Sequence, residues 1–448
     1  MSDERATLGG RLTRMAKVSG GLGALAVKYA GGKALGREVS PEELARDLKL
    51  ALGGMKGPIM KVAQMLATIP EVLPEAYAAE LLQLQHNAPS MGWPFIRRRM
   101  ISELGSDWMG KFAGFEREAA AAASLGQVHR ATAHDGRLLA CKLQYPEMDS
   151  AVEADLGQLG LVLGIYKRLM PAVDPSELVA EIGARLREEL DYTREARHMA
   201  LYRAMYRDLA CVSVPEAVLE LSTRRLLTMT WLDGAPLLSF KDAPLDVRNR
   251  IAEALFHAWW EPFARYGVIH GDPHLGNYAV RADHGINLLD FGCIRIFPAR
   301  FVKGVIDLYR AMENRDVDAA ARAYEGWGFK NLSPELLDTL NIWARFIYGP
   351  LLDDRTRTIA DGLTPAEYGR REAFEVHARL RTLGPVTPPR EFALMDRAAI
   401  GLGAVFLHLR SELNYRDLFH QAIHDFDVDT LADRQAVALA QAGLPPMA

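Results

Sequence analysis

Apolar positions recur every three to four residues over two long stretches of the chain, and in short runs over a smaller middle section. Leu12, Met15, Val18, Leu22 and Leu25 fall on one helical face, although Gly20, Gly21 and Gly23 weaken a helix there. Ser40-Pro41-Glu42-Glu43 is a clearer helix start: Ser40 caps, Pro41 fits the first turn and Glu43 closes a capping box. Helical periodicity then runs to about Leu104, with Ile59, Val62, Leu66 and Ile69 in phase and Pro70, Pro74 and Pro89 as breaks. Near Phe115 the texture changes. A short Gly-ended stretch at 119–127 leads into strands expected at 128–133 and 138–143, joined by an Asp135-Gly136 hairpin turn. A helical region is expected at 150–209, with an N-terminal box at Asp174-Pro175-Ser176-Glu177. Strands at 212–219 and 225–231 follow. From about Asp246 the chain reads as helix, interrupted by a turn-rich segment at 267–297.

Composition narrows the class. With 448 residues, 49% hydrophobic and 25% charged, the chain has the balance of a globular protein of about three folding units. Disordered, collagen-like and small disulfide-rich classes are excluded. The net charge of -4 gives no global basic field, so no nucleic-acid partner is expected. Cys141, Cys211 and Cys293 form no CxxC pair, which argues against a zinc site and suits a reducing compartment. The most apolar run, at 398–409, is too short to span a bilayer. Arg5 to Arg37 holds seven basic and no acidic residues. That leader reads either as a contact for an anionic membrane surface or as a loosely ordered basic or targeting segment.

The strongest chemical signal is His270-Gly271-Asp272-Pro273-His274-Leu275-Gly276-Asn277, with Asp290-Phe291-Gly292 starting 13 residues after Asn277. Phosphoryl transfer from ATP needs a carboxylate at the acceptor and hard oxygen ligands that hold a divalent cation on the phosphates. D-x4-N followed by D-F-G supplies these in kinase order. Asp272 is then the base or orienting carboxylate, and Asn277 and Asp290 are ligands for Mg²⁺ or Mn²⁺. Taken singly, each motif reads equally well as an Asp- and Gly-rich surface turn. Lys142, on an expected strand 16 residues after Gly126, stands where a kinase grips nucleotide phosphates. The segment before it reads Ala121-Ala122-Ala123-Ser124-Leu125-Gly126-Gln127-Val128. Ala121 and Ala123 replace two glycines of the protein-kinase loop, while Gly126 and Val128 match it. In the long helical region, Glu195 is the first choice for the glutamate that pairs with Lys142, and Glu189 the second.

These motifs resemble those of the UbiB/ADCK-type atypical kinases, a kinase-like family with an AarF domain that is linked to ubiquinone biosynthesis. The segments that carry the likeness are Lys61-Val62-Ala63-Gln64, Ala121-Ala122-Ala123-Ser124-Leu125-Gly126-Gln127-Val128-His129, Lys142-Leu143-Gln144-Tyr145-Pro146, Glu189-Leu190-Asp191-Tyr192 and the two motifs just described. The resemblance implies an α+β, two-lobed protein-kinase-like fold, mostly helical, with a helical N-terminal extension over the active site. It implies a leader at 1–39, the extension at 40–114, an N-lobe with a helical insert at 115–235 and a helical C-lobe at 236–448. Lys61 and Gln64 would match the family's K-x-G-Q signature, and Glu189 and Asp191 its E-x-D signature, all reaching one cleft. Ala121, Ala123, Ser124, Gly126, Val128, Lys142 and Glu195 would bind ATP or ADP.

The expected activity is ATP hydrolysis or phosphoryl transfer with Mg²⁺. Ubiquinone-making enzymes or lipid-like quinone precursors are the expected partners. The expected location is cytoplasmic and peripheral at the inner membrane, or mitochondrial in a eukaryote. The sequence departs from the family at Ala63, which replaces the signature glycine, and from protein kinases at Gly271, which replaces the H-R-D arginine. The alternatives are a small-molecule kinase of the aminoglycoside or choline type, and a nucleotide-sensing scaffold without chemistry.

Overall fold

Helix α1 (Trp93–Leu104) opens with Pro94 in its first turn and stops at Gly105, whose φ of 93° suits only glycine. Strands β1 (Gly114–Ala123), β2 (Gly126–Thr132) and β3 (Leu138–Gln144) follow. After them come helices α2 (Ser176–Glu189) and α3 (Tyr192–Met205) and strands β4 (Val212–Ser213), β5 (Leu226–Thr230) and β6 (Ala235–Pro236). Helix α4 (Leu245–Tyr266) leads into the short strands β7 (Val268–His270), β8 (Tyr278–Val280), β9 (Ile286–Leu288) and β10 (Ile294–Ile296). The helices named after them are α5 (Ala299–Asn314), α6 (Val317–Gly326), α7 (Pro334–Leu352), α8 (Arg390–Leu409), α9 (Tyr415–Ile423) and α10 (Val428–Gln441). This computed structural model describes residues 91–123, 125–146, 148–154, 156, 157, 176–360, 372, 375, 376, 379, 380 and 390–447. The basic leader, the Ser40 capping box, Lys61, Gln64 and Ser124 lie outside the described residues.

Two units are distinguished, residues 1–193 with 218–228, and residues 194–217 with 229–448. The first holds a sheet of order β1-β2-β3-β5, with β1, β2 and β3 antiparallel. The Asp135-Gly136 hairpin forms as expected, with Gly136 at φ 85°. Period-two alternation divides β3 between two environments. Leu139, Cys141 and Leu143 join Ile96, Met100, Trp108 and Phe112 in an apolar core. Lys142 and Gln144 therefore share the opposite face. Burial pushes the Cys141 thiol up to about 12, so it acts there as a small apolar group.

Three sequence expectations change. The alanine segment is the end of β1, paired across to β2 with Ala121 opposite Val128 and Ala123 opposite Gly126. Alanine tolerates extended backbone, so the replaced glycines leave a ladder in place of a loose loop. The strand expected at 212–219 shrinks to β4, because Leu219–Leu221 turns into a short 3₁₀ helix. The turn-rich stretch at 267–297 contains four strands of three residues each, too short to register as periodicity.

In the second unit α4 is the central helix, and Ile251, Leu255, Trp259 and Phe263 on it are buried. It ends at Gly267 in the left-handed region (φ 65°, ψ 28°), with Gly267 N–H donating to Phe263 O. A Cβ at Gly267 would stand 2.7 Å from Phe297 O. The chain can therefore turn directly into β7, which pairs antiparallel with β10.

The face of β2 that looks toward α1 carries a buried polar chain. His129 Nδ1–H donates to Glu116 O at 2.9 Å, so its Nε2 accepts from the Gln127 amide at 2.7 Å. Gln127 Oε1 then accepts from Met91 N–H at 2.7 Å. Burial holds the His129 pKa below its ordinary 6.5. The unfolded chain takes up a proton that the folded chain refuses, so stability falls as pH drops below about 6.5. Thermal denaturation from about pH 7.5 to about pH 5.5 should show a shallower acid loss of stability in His129→Gln than in the native chain. Parallel profiles would refute this account of His129.

Candidate active site

In the first unit, register brings the sequence-selected residues to one sheet face. Val128 stands opposite Lys142 and Gly126 opposite Gln144. Lys142 is only 6% exposed, and its ammonium lies 5.2 Å from the ring centroid of buried Tyr192, a cation–π contact. Gly126 is needed here for space. A Cβ would fall 2.0 Å from Leu143 O and 2.9 Å from its carbon, both rigid backbone atoms. Glu189 ends α2, and Asp191 lies between α2 and α3. Asp191 Oδ1 accepts from Thr193 N–H at 3.0 Å, so the E-x-D aspartate also caps α3.

In the second unit, β8 and β9 are an antiparallel pair with Tyr278 opposite Leu288. Asn277 precedes β8 and Asp290 follows β9. The ladder extends by Leu289 N–H donating to Asn277 O at 3.0 Å, which brings Asn277 to within one residue of Asp290. The Asn277 amide nitrogen donates to Asp272 O at 2.8 Å, which turns its Oδ1 away from that bond. Asp290 Oδ1 accepts from Gly292 N–H at 3.0 Å. His270 is buried between the two motifs. Its Nδ1 accepts from Asp272 N–H at 3.3 Å, and its Nε2–H donates to Asp290 O at 2.8 Å. The structure thus joins Asp272, Asn277 and Asp290 through main-chain contacts.

Glu195, on α3 and 3% exposed, belongs to the second unit. Its Oε1 accepts from Phe291 N–H at 3.4 Å. His198, one turn further along, donates from Nδ1 to Phe291 O at 3.0 Å. Sequence reasoning assigned no role to His198 or Gln144, because a single buried polar residue leaves no periodic trace.

An amide oxygen and a carboxylate are hard donors that fit Mg²⁺ or Mn²⁺ and not a thiophilic metal. Among the described residues no group of three or more His, Cys, Asp or Glu side chains forms a metal cage. A Mg²⁺ held largely by phosphates and water needs none.

A family model, the ABC1 atypical kinase-like domain, matches residues 83–324. The chain is 31% identical over 250 residues to the atypical kinase COQ8, mitochondrial, of Saccharomyces cerevisiae, a match that covers 55% of this chain and 50% of that protein. It is 27% identical over 457 residues to the atypical kinase COQ8B, mitochondrial, of Rattus norvegicus, covering 98% of this chain and 85% of the relative. Among solved structures, Rv3197 of Mycobacterium tuberculosis in complex with erythromycin is similar, with a TM-score of 0.61 and 26% identity over 85% of this chain and 96% of that one. The expected α+β, kinase-like fold is thereby borne out.

Gly126→Ala should cost about 3 kcal/mol of stability, because the clash is with backbone and not with a side chain that can swing away. Denaturant unfolding checks this. A variant as stable as the native chain would mean that β2 and β3 stand further apart than described.

Proposed function

The chain belongs to the ABC1 atypical kinase-like family, and we propose that it binds ATP with a divalent cation and hydrolyses it or passes its terminal phosphoryl group to a non-protein acceptor. The metabolic setting is that of ubiquinone or a related isoprenoid quinone. The observation that carries this reading is the β8–β9 register, which sets Asn277 beside the Asp290 segment while His270 clamps the Asp290 carbonyl.

Each residue then has a task. Asp272 orients or deprotonates the attacking hydroxyl. Asn277 and Asp290 hold the Mg²⁺ or Mn²⁺, which neutralises charge on the phosphates when bound. Lys142 contacts those phosphates, paired with Glu195 as first choice and Glu189 as second. Ala121, Ala123, Gly126 and Val128 cover the nucleotide as a ladder in place of a flexible flap, and Ser124 is assigned to nucleotide binding with them. Lys61, Gln64, Glu189 and Asp191 complete a cleft that the N-terminal extension closes to protein substrates. The basic leader brings the enzyme to an anionic membrane, whether bacterial inner membrane or mitochondrial. Among the described residues no helix is long and apolar enough to cross one.

The test is phosphate release from ATP with Mg²⁺, with and without anionic liposomes. Asp290→Asn should lower release by about 100-fold or more while thermal stability stays near native. Liposomes should raise release by the native chain. Equal release by the two proteins would overturn the catalytic reading, and indifference to liposomes would overturn the role of the leader.

A further inference from the structure

Gln144 has no task in the mechanism above, yet it is one of the most constrained polar residues in the first unit. It lies two residues beyond Lys142, on the same face of β3, and is 3% exposed. Its Nε2 donates to Leu190 O at 2.6 Å, with a longer approach of 3.5 Å to Arg224 O. Leu190 is the central residue of Glu189-Leu190-Asp191. Its carbonyl sits between two helices, because α2 ends at Glu189 and α3 begins at Tyr192. Neither helical ladder supplies a donor at such a junction, and a buried carbonyl without one is costly. The Gln144 amide is the donor.

That amide stands on fixed ground. Gln144 N–H donates to Arg225 O at 3.2 Å. Buried Arg99 donates from Nε to Gln144 O at 3.3 Å and from Nη2 to Tyr145 O at 3.1 Å. Arg99 is itself paired with Glu103 at 3.4 Å. On the far side, Tyr192 N–H donates to Arg224 O at 3.0 Å, which ties the same helix junction to the turn that receives Gln144.

We propose that Gln144 is a positioning residue, a strut from the Lys142 strand that sets where the Glu189–Asp191 segment stands. The inference rests on the reading of Lys142 and Asp191 as parts of the nucleotide site. A residue that only stabilised the fold would lower activity by the same factor in any background. A strut acting through Asp191 loses its effect once the Asp191 carboxylate is gone.

The experiment is a double-mutant cycle read as phosphate release against Mg²⁺ concentration. Asp191→Asn removes the charge but keeps a good helix cap. Gln144→Met keeps length but removes the donor. Gln144→Met alone should lower release about 10-fold and raise the Mg²⁺ needed for half-maximal rate. In the Asp191→Asn background it should add less than about 2-fold. If Gln144→Met does not fold, Gln144→Asn, which keeps the amide but shortens its reach, takes its place in the cycle. Effects that multiply independently, where Asp290→Asn as a separate control abolishes release, overturn the strut alone. Full release by Asp290→Asn overturns the site reading and the strut with it.

Discussion

Irregular backbone that is buried must find hydrogen-bond partners outside any ladder, and here the partners are polar side chains, most of them buried. The carbonyl of Asp290 is met by His270, that of Phe291 by His198, and that of Asp272 by Asn277. In the first unit Gln144 meets Leu190, and Arg99 meets Gln144 and Tyr145. All these carbonyls are at or beside residues of the candidate site. Asp191, Asp272 and Asp290 stand between helices and strands, so the chain leaves regular structure there. A polar side chain then takes over the work of the missing ladder. Removing one of these donors strands a buried carbonyl, and the loss is larger than the modest net worth of the bond itself.

The glycines follow a related constraint of space. At Gly271, where a protein kinase has arginine, a Cβ would stand 2.8 Å from Cys293 O and 3.2 Å from Cys293 Sγ. Gly271 N–H donates to that same carbonyl at 2.7 Å, which extends the β7–β10 pairing by one residue. The departure at 271 thus has a steric cause: the segment after Asp290-Phe291-Gly292 runs too close for any side chain. Gly126 is similar in kind. It matches the last glycine of a phosphate-binding loop, but its φ is not in the left-handed region, and the need is proximity to Leu143 O.

The spacing of Asp272, Asn277 and Asp290 was readable as a motif because it is short-range: Asn277 reaches Asp272 five residues back, and Asn277 and Asp290 flank one local strand pair. The Asp135-Gly136 turn and the helices from Leu245 onward were legible for the same reason. What was not legible is non-local. Three-residue strands such as β7 and β10 exist only because they pair with each other, 24 or more residues apart. His198 and Gln144 matter through carbonyls 93 and 46 residues away. No strand is expected over the alanine run, since alanine has no strong local preference for strand. Its partner β2 decides its conformation.

The segment Gly126-Gln127-Val128-His129 illustrates how a family signature can be architectural as much as chemical. Period-two alternation sends Gly126 and Val128 to the face shared with Lys142, and Gln127 and His129 to the face where Met91 is bound. The two requirements are opposed: one face must be small and apolar, the other must carry a closed chain of donors and acceptors. Slipping β2 by one residue would exchange them, placing Gln127 against the Lys142 face and an uncapped Met91 amide against valine. Register, and with it the placing of Lys142 opposite Val128, is therefore fixed from both faces of the strand. That double constraint explains why the run is specific where a single glycine in a loop would not be.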